Sequence, residues 1–379
     1  MFDVLTLNKI SNKIYNVLND DYQVSDSAVN PDAILVRSFK MDDYEIGDNL
    51  LCVGRAGAGV NNIPLDKMTD AGVCVFNTPG ANANAVKELV ICALLLASRD
   101  IIGGNKWANT LVGNDVPKQV EKGKSAFGGT EIFGKAIGIV GLGAIGKKVA
   151  LACSALGMSV VGYDPYYKGN DGFKVVSTLD ELYAESDYIS LHLPLLPTTR
   201  GMIGTDAISK MKDGVILVNM ARGELVDVPV LKHALECGKV RSYVVDFPNE
   251  DCLNTKGIIA IPHLGASTEE AEENCAIMAS AQIKEYLEDG NIVNSVNFPN
   301  IKVERKLDNR LTIIYNAGTD ALENIKALAD KTDCTLNYAE RNTIGYAIID
   351  TASTLSLEDD ENLVSSIADL DDIISIRIL

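Results

Sequence analysis

Short apolar runs alternate with polar stretches of helix length through the first hundred residues, a pattern that predicts alternating β-strands and α-helices. The apolar runs are 33–36, 50–53 and 73–76. Residues 85–98 then carry apolar side chains on nearly every helical face, which predicts a buried helix. This part of the chain is therefore predicted to form one α/β lobe.

A second series of apolar runs starts after residues 99–131, a polar and Gly-rich stretch that we expect to cross between two lobes. Segments of helix length separate these runs, as a parallel sheet requires. One helix is well marked, because Asp227 precedes it, Pro229 lies in its first turn and Gly238 follows it. The predicted strands of this second lobe are 136–140, 159–163, 188–193, 215–220, 241–245 and 257–261.

The pattern changes near residue 267. Ser267 and Glu270 form an S-x-x-E capping box, which predicts the start of a long acidic helix that runs toward Gly290 and could return the chain to the first lobe. Residues 311–379 have the pattern strand, helix, two strands, helix, strand. The predicted fold class is therefore α/β, with two Rossmann-like parallel-sheet lobes and a small C-terminal α+β domain.

A glycine-rich segment, VGLGAIG at 140–146, follows an apolar run and opens an amphipathic stretch. Gly141, Gly143 and Gly146 are thus predicted to lie at a strand-turn-helix corner, where a pyrophosphate can meet a helix N-terminus. Such a motif alone is weak evidence, but here it has the strand before it and the helix after it. The segment therefore predicts a dinucleotide site.

Asp164 ends the next apolar run, roughly twenty residues after the glycines, where an acid can bond a ribose hydroxyl. The first cation after it is Lys168, so a 2′-phosphate would meet a carboxylate without an arginine. This favours NAD over NADP. The alternative is that Asp164 only starts a turn before Pro165.

Two further motifs follow predicted strand ends. They are NMARGELVD at 219–227 and IPHLGAST at 261–268. Hydride transfer from a secondary alcohol to nicotinamide needs a base for the hydroxyl proton and a cation for the neighbouring carboxylate. Histidine side chains in general can exchange a proton near neutral pH, so His263 is the candidate base. Arg222 offers the planar fork, and Glu250 is the candidate carboxylate that stabilises the imidazolium.

The other two histidines have simpler interpretations. His192 lies in an apolar strand before Pro194, where a hydrogen-bonded structural role is the alternative, and His233 lies inside a predicted helix. Only His263 ends a predicted strand of the second lobe, and ligands meet the carboxyl ends of strands in such sheets.

The formal net charge of −18 repels phosphate backbones and anionic lipid surfaces, so we expect neither a nucleic-acid nor a membrane partner. Eight cysteines are scattered without a CxxC pair, mostly in apolar runs such as those of Cys52, Cys74, Cys92 and Cys153, which suits reduced core thiols and predicts no thiolate metal site. No basic leader with a long apolar stretch is present at the N-terminus, so we expect a cytoplasmic protein.

Several longer motifs resemble those of the D-isomer-specific 2-hydroxyacid dehydrogenase family, in its phosphoglycerate dehydrogenase branch, along essentially the whole chain. They are VRS at 36–38, GRAGAGVNNI at 54–63, NTPGANANAVKEL at 77–89, LHLPLLPTTRGMIG at 191–204 and VNFP at 296–299. The resemblance implies a substrate-binding domain at 1–98 completed by 268–300, an NAD-binding domain at 99–267 and an ACT-like regulatory domain at 309–379.

The implied activity is NAD-dependent oxidation of 3-phospho-D-glycerate to 3-phosphohydroxypyruvate, the first step of serine biosynthesis. One alternative is a D-2-hydroxyacid or glyoxylate/hydroxypyruvate reductase that acts on an unphosphorylated substrate. An alternative of another class is an NADH-sensing binding protein without turnover. The resemblance also implies assembly as a homodimer or homotetramer.

The family pattern extends the set of candidate site residues. It implies that Arg37 and Ser38 reach the substrate phosphate and that backbone amides around Ala56 and Gly57 hold the substrate carboxylate, while Arg55 contacts substrate or braces the loop. The cofactor-binding positions implied beyond the glycines and Asp164 are Ala144, Ile145, His192, Pro194, Met220, Asp246 and Gly265. No metal site is implied.

The chain departs from the family in two places. Many relatives have DVFPxEP where this sequence has VDFPNED, so the register around Glu250 is open and Asp251 is the alternative carboxylate. Asp246 either contacts the nicotinamide amide, as the family pattern implies, or caps a turn. In the tail, Asn316 matches one serine-binding position, but Cys334 stands where another asparagine is expected, so an interface role has equal standing with an effector role.

Overall fold

The structure, a computed structural model, describes residues 1–307, 309–332, 334–351 and 357–379. The chain forms two compact units, one made of residues 1–82 and 272–379 and the other of residues 83–271.

The first unit contains a five-stranded parallel sheet. Its strands are β1 (Phe2–Leu7), β2 (Tyr22–Ser25), β3 (Ala33–Val36), β4 (Cys52–Arg55) and β5 (Cys74–Phe76), with helix α1 (Leu65–Asp70) before β5. The strand order is β2-β1-β3-β4-β5. The prediction of strand 33–36 is confirmed, and the runs at 50–53 and 73–76 become strands with bounds shifted by one or two residues.

The second unit contains a seven-stranded parallel sheet. Its helices in chain order are α2 (Ala83–Ser98), α3 (Ile101–Ala108), α4 (Val116–Gly123), α5 (Ala144–Ala155), α6 (Leu179–Glu185), α7 (Thr205–Lys210) and α8 (Val228–Glu236). Its strands are β6 (Ala136–Val140), β7 (Ser159–Tyr163), β8 (Lys174–Val175), β9 (Tyr188–Leu191), β10 (Val215–Asn219), β11 (Val240–Val245) and β12 (Ile258–Ala260). The strand order β12-β11-β10-β9-β6-β7-β8 changes direction between β9 and β6, which places a ligand crevice at their carboxyl ends.

Helix α2 belongs to the second unit, although the sequence pattern placed residues 85–98 at the end of the first lobe. Its buried side chains, among them Val90 and Leu94, pack with Ile137 and Val149 of the second sheet and α5. Apolar periodicity reports that a helix is buried but not against which sheet. The expectation for Cys92 is wrong, because its side chain is exposed on this helix.

Helix α9 (Glu269–Asp289) starts in the second unit and continues into the first. The predicted capping box at Ser267 and Glu270 is wrong by one residue. The Thr268 hydroxyl oxygen accepts the Ala271 amide at 3.1 Å, whereas the Ser267 hydroxyl donates to the His263 carbonyl at 3.3 Å. Serine and threonine are both favoured N-cap residues. Here the Ser267 hydroxyl is bound within the turn that holds His263, so Thr268 caps the helix.

The C-terminal module has the predicted order of elements. They are β13 (Asn309–Asn316), α10 (Ala321–Ala329), β14 (Cys334–Arg341), β15 (Ile344–Thr351), α11 (Leu357–Ala368) and β16 (Ile373–Ile378). The strands form an antiparallel sheet of order β14-β15-β13-β16, the ferredoxin-like arrangement. Residues 333 and 352–356 of the predicted domain lie outside the described residues.

This module shares a core with the first sheet. Ile314 and Ile348 pack in one apolar cluster with residues of β1, β3 and α9. The buried Arg310 guanidinium makes a bidentate pair with Asp350 at 2.6 and 2.8 Å and donates to the carbonyl of Asp289 at 2.8 Å. Arg377 donates to the Leu287 carbonyl at 2.9 Å. Two arginines of the module therefore bind the carbonyl end of α9, where cations are favoured.

Candidate active site

The glycine loop forms a cradle at the start of α5. Gly141 has φ +95°, and a Cβ there would lie 2.5 Å from the His192 carbonyl oxygen. Open space adjoins Gly143, the residue before the first turn of α5, where a Cβ would meet no atom within 4 Å. A phosphate has room to approach the amides of Ala144, Ile145 and Gly146 at this helix N-terminus. The loop therefore fits a dinucleotide.

Asp164 lies at the end of β7 beside this cradle. One carboxylate oxygen accepts the Leu142 amide at 2.9 Å and the other accepts the Tyr166 amide at 2.9 Å. The acid thus ties the strand end to the glycine loop and also starts the turn before Pro165. Each oxygen keeps a lone pair for a ribose hydroxyl, so the two interpretations of Asp164 are compatible.

His192 follows β9, and its Nε2 lies 2.9 Å from the Ser190 hydroxyl. Burial of the ring lowers the pKa of His192 to about 4, so the imidazole is neutral at neutral pH. Pro194 is exposed after it, and Met220 is buried at the end of β10. These three residues surround the carboxyl ends of β9 and β10.

The candidate base and the candidate cation both contact one aromatic ring. The Arg222 guanidinium carbon is 5.3 Å from the centroid of the Phe247 ring, and the His263 ring centroid is 4.3 Å from the same ring. Arginine over an aromatic face is a favourable cation–π contact. The structure therefore brings Arg222 and His263 together, through a phenylalanine that the sequence analysis did not single out.

His263 has a left-handed backbone, with φ +53°, which is uncommon for a residue other than glycine or asparagine. Asp246 holds this turn. Its carboxylate, 1% exposed, accepts the amides of Leu264 at 2.7 Å and Gly265 at 2.8 Å, and its carbonyl accepts the His263 amide at 3.0 Å. Burial raises the pKa of Asp246, while the two amides and His263 lower it. Both carboxylate oxygens thus serve the turn, which favours the capping role of Asp246.

Asn219 positions the loop that carries Arg222, and the sequence analysis missed it. Its side-chain amide donates to the Arg222 carbonyl at 2.7 Å and to the Tyr243 hydroxyl at 3.1 Å, and its oxygen accepts the Ala221 amide at 3.1 Å. The signal in the sequence was an asparagine at the end of an apolar run, and in the structure its amide is fully buried.

Glu250 is not within salt-bridge distance of His263 among the contacts of the described residues. Its side chain is exposed in the short 3₁₀ turn Glu250–Cys252, which the Asn249 side chain caps. The alternative, Asp251, lies 3.5 Å from Lys232 on α8. Both candidate carboxylates, Glu250 and Asp251, are thus exposed on this turn.

The Arg37 and Ser38 loop of the first unit is held by two asparagines. The Asn8 side-chain oxygen accepts the Ser38 amide at 3.0 Å, and the Asn62 side chain donates to the Phe39 carbonyl at 2.7 Å. The Arg37 guanidinium is 2.6 Å from the Glu272 carboxylate. Neither asparagine was a sequence candidate, because both act across more than twenty residues of chain.

The predicted carboxylate-binding amides already have partners. The Ala56 amide donates to the Val36 carbonyl at 2.8 Å, and the Gly57 amide donates to the Arg55 carbonyl at 2.9 Å. The Arg55 guanidinium lies against Gly57 and its Nε donates to the Arg37 carbonyl at 3.1 Å. In this conformation Arg55 braces the loop, and the amides of Ala56 and Gly57 donate to backbone carbonyls.

Within the described residues, no group of three or more His, Cys, Asp or Glu side chains is arranged to hold a metal ion. Among the helices that the structure describes, none has the length and apolarity needed to span a membrane.

Known proteins match this chain along most of its length. Residues 92–265 match the family described as the NAD-binding domain of D-isomer-specific 2-hydroxyacid dehydrogenases. A D-3-phosphoglycerate dehydrogenase of Haemophilus influenzae is 32% identical over 355 residues, which are 88% of this chain and 82% of that protein. A D-3-phosphoglycerate dehydrogenase of Methanocaldococcus jannaschii is 37% identical over 287 residues, which are 72% of this chain and 53% of that protein.

A solved structure shows the same fold. The NAD⁺-bound 3-phosphoglycerate dehydrogenase of Entamoeba histolytica superposes with a TM-score of 0.62 and 26% identity, covering 78% of this chain and 98% of that one. The chain spans only between 53% and 59% of the length of the first curated relatives that it matches. The matches across most of the chain establish that it belongs to the D-isomer-specific 2-hydroxyacid dehydrogenase family and is similar to the D-3-phosphoglycerate dehydrogenases within it.

Proposed function

We propose that this protein oxidises 3-phospho-D-glycerate with NAD to 3-phosphohydroxypyruvate, the first step of serine biosynthesis. The observation that carries the proposal is that Arg222 and His263 both contact the Phe247 ring at the carboxyl edge of a dinucleotide-binding sheet. The similarity to curated D-3-phosphoglycerate dehydrogenases supports the substrate.

In the proposed reaction His263 accepts the proton of the C2 hydroxyl as that carbon becomes a carbonyl. Bound NAD supplies the acceptor for the hydride that leaves C2. The turn that Asp246 holds fixes the backbone that carries His263, so the base is placed before substrate binds. In the reverse direction the His263 imidazolium returns the proton.

Arg222 binds the substrate carboxylate and draws charge toward the adjacent oxygen in this proposal. The ring of Phe247 contacts the guanidinium, which also donates to the Ala221 carbonyl at 2.6 Å. The side-chain amide of Asn219 holds the Arg222 carbonyl. Glu250 is proposed to stabilise the imidazolium, and for this role the exposed 3₁₀ turn has to bring its carboxylate within hydrogen-bond reach of His263.

Arg37 and Ser38 are proposed to bind the substrate phosphate. The asparagine-held backbone of their loop supports the role, because it orders the loop before ligand arrives. For the cofactor, the open cradle at Gly143 and the carboxylate of Asp164 support NAD, since a 2′-phosphate would be repelled by the acid. We further propose a cytoplasmic homodimer or homotetramer, by analogy with the family.

The test follows NADH absorbance during incubation with phosphohydroxypyruvate, hydroxypyruvate, 2-oxoglutarate or glyoxylate. We expect fast oxidation with phosphohydroxypyruvate and a loss of roughly 100-fold or more in kcat/KM in Arg37→Ala, because a charged hydrogen-bond partner of the phosphate is removed. Equal or faster turnover of an unphosphorylated acid would replace this function by that of a reductase of the same family. Binding of NADH without turnover of any acid would favour a sensor.

A further inference from the structure

In this structure the Arg37 guanidinium is paired with a side-chain carboxylate. Its Nη2 lies 2.6 Å from Oε1 of Glu272, in the first turn of α9. We propose that Glu272 occupies Arg37 in place of the substrate phosphate, so that an anion has to displace it to bind. This inference rests on the proposed phosphate-binding role of Arg37.

Core packing places Glu272 beside Arg37. On α9 the residues Glu272, Ala276, Ala279 and Ile283 recur at spacings of three and four and share one helix face. The last three of them are buried in the core of the first unit. Glu272 is therefore the N-terminal continuation of a buried face.

A glycine brings the helix close enough for this pairing. A Cβ at Gly54 on β4 would lie 3.0 Å from Ile283 and 3.3 Å from the Ala279 carbonyl oxygen. Helix α9 thus packs directly on β4 near the carboxyl end of the strand. The next residue along the strand, Arg55, braces the Arg37 carbonyl from the same side.

Other charged groups near Arg37 do not take over the role of Glu272. Arg55 adds positive charge, and the buried Cys275 thiol lies one turn after Glu272, where the two arginines lower its pKa against the larger effect of burial. Glu273, the neighbouring acid, faces Lys13 at 3.9 Å. Glu272 is thus the acid that the structure pairs with Arg37.

The strength of the pair sets the expected effect. The side chains of Arg37 and Glu272 keep 39% and 41% exposure, so solvent screens the pair. Exposed pairs contribute about 0.2–1 kcal/mol, which corresponds to a factor of roughly two to five in affinity for a ligand that has to break them. A phosphorylated hydroxy acid overcomes this competition with contacts through its carboxylate and hydroxyl, whereas inorganic phosphate lacks those contacts. Glu272 thereby weakens the binding of the substrate phosphate and of free phosphate by the same factor.

The test measures inorganic phosphate as an inhibitor competing with phosphohydroxypyruvate, in the full chain. In Glu272→Gln we expect the inhibition constant of phosphate and the KM of phosphohydroxypyruvate to fall roughly two- to fivefold, with no change in the KM of hydroxypyruvate. Glu273→Gln is the matched control, since it removes the same charge from the same helical turn. In an Arg37→Ala background, adding Glu272→Gln should produce no further gain.

Equal inhibition constants in wild type, Glu272→Gln and Glu273→Gln would overturn the inference and leave the proposed function standing. If wild type does not reduce phosphohydroxypyruvate, the proposed function fails instead. The inference is then decided by the rise in melting temperature with inorganic phosphate. A larger rise in Glu272→Gln than in both wild type and Glu273→Gln supports it, and equal rises overturn it.

Discussion

Two buried carboxylates, one in each unit, have their negative charge stabilised by different groups. Asp246 is 1% exposed and accepts two backbone amides of the His263 turn, whereas Asp350 is 2% exposed and pairs with both nitrogens of the buried Arg310 guanidinium. Amide dipoles leave a buried charge only partly compensated, so burial raises the pKa of Asp246. An ion pair compensates the charge fully and, through Asp350, raises the pKa of Arg310.

The difference corresponds to what each carboxylate holds. Asp246 acts on three consecutive residues of a single turn, so its effect is local and reaches the candidate base. The Arg310–Asp350 pair joins the C-terminal sheet to the end of α9, so its effect is on the assembly of the first unit. Damage to Asp246 should therefore appear mainly in catalysis, and damage to the pair mainly in stability.

Breaking the ion pair tests the larger of the two effects. Arg310→Met or Asp350→Leu alone should lower the free energy of unfolding by about 3–5 kcal/mol, because each leaves an uncompensated buried charge. The double variant should recover most of that loss. Urea denaturation followed by circular dichroism measures it, and Lys212→Met, which breaks an exposed pair with Asp187 at 3.1 Å, should cost less than about 1 kcal/mol. If the single variants were as stable as Lys212→Met, the Arg310–Asp350 pair would have no special effect on stability.

Changing Asp246 to Asn tests the local effect. The new NH₂ group would face the amide of Leu264 or Gly265, so the left-handed turn at His263 loses one of its acceptors. We expect kcat/KM to fall roughly 10- to 100-fold, the equivalent of about 1.5–3 kcal/mol for a charged hydrogen bond. Steady-state kinetics with saturating NADH would show this. Asp213→Asn, at an exposed carboxylate that pairs with Lys239 at 2.9 Å, should retain the wild-type value, and an equal loss there would contradict a specific role for Asp246.

A third buried group sharpens the comparison through pH. The pKa of His192 is about 4 in the folded protein against 6.5 for a free histidine, so between these values the folded state binds fewer protons than the unfolded state. Stability should therefore rise as pH increases from 4 to 6.5 and be lost as pH falls through that window, by up to about 3 kcal/mol. In His192→Gln the free energy of unfolding, measured by denaturation across this pH range, should change with pH by this amount less. The exposed His233 gives the control, and an equal reduction in His233→Gln would rule out His192 as the source.

The parts of the molecule that follow from local sequence were predictable. Strands β6 and β7 have the predicted bounds, and Asp227 caps α8 through the Val230 amide at 3.2 Å, since a strand, a cap and a helix each depend on a few neighbouring residues. Arg222 and His263 became candidates for the same reason, because each lies three residues after the end of a strand.

The groups that orient these residues were not predictable. Phe247, Asn219, Asn8 and Glu272 act on side chains or loops brought near by the fold, and no local pattern marks an asparagine or a glutamate for such a contact. The assignment of α2 failed for a related reason, because its apolar faces do not identify the sheet that covers them. Sequence patterns thus marked candidate reacting groups more readily than the contacts that hold them.

The attachment of the C-terminal module has a consequence for how the chain can be shortened. A chain cut after residue 300 would lose the arginines that bind the carbonyls of Leu287 and Asp289, and it would expose to water the face that Ile314 and Ile348 now cover. In this protein the tail is thus an integral part of the first unit. Truncation would create an aggregation-prone apolar surface on the lobe that carries Arg37.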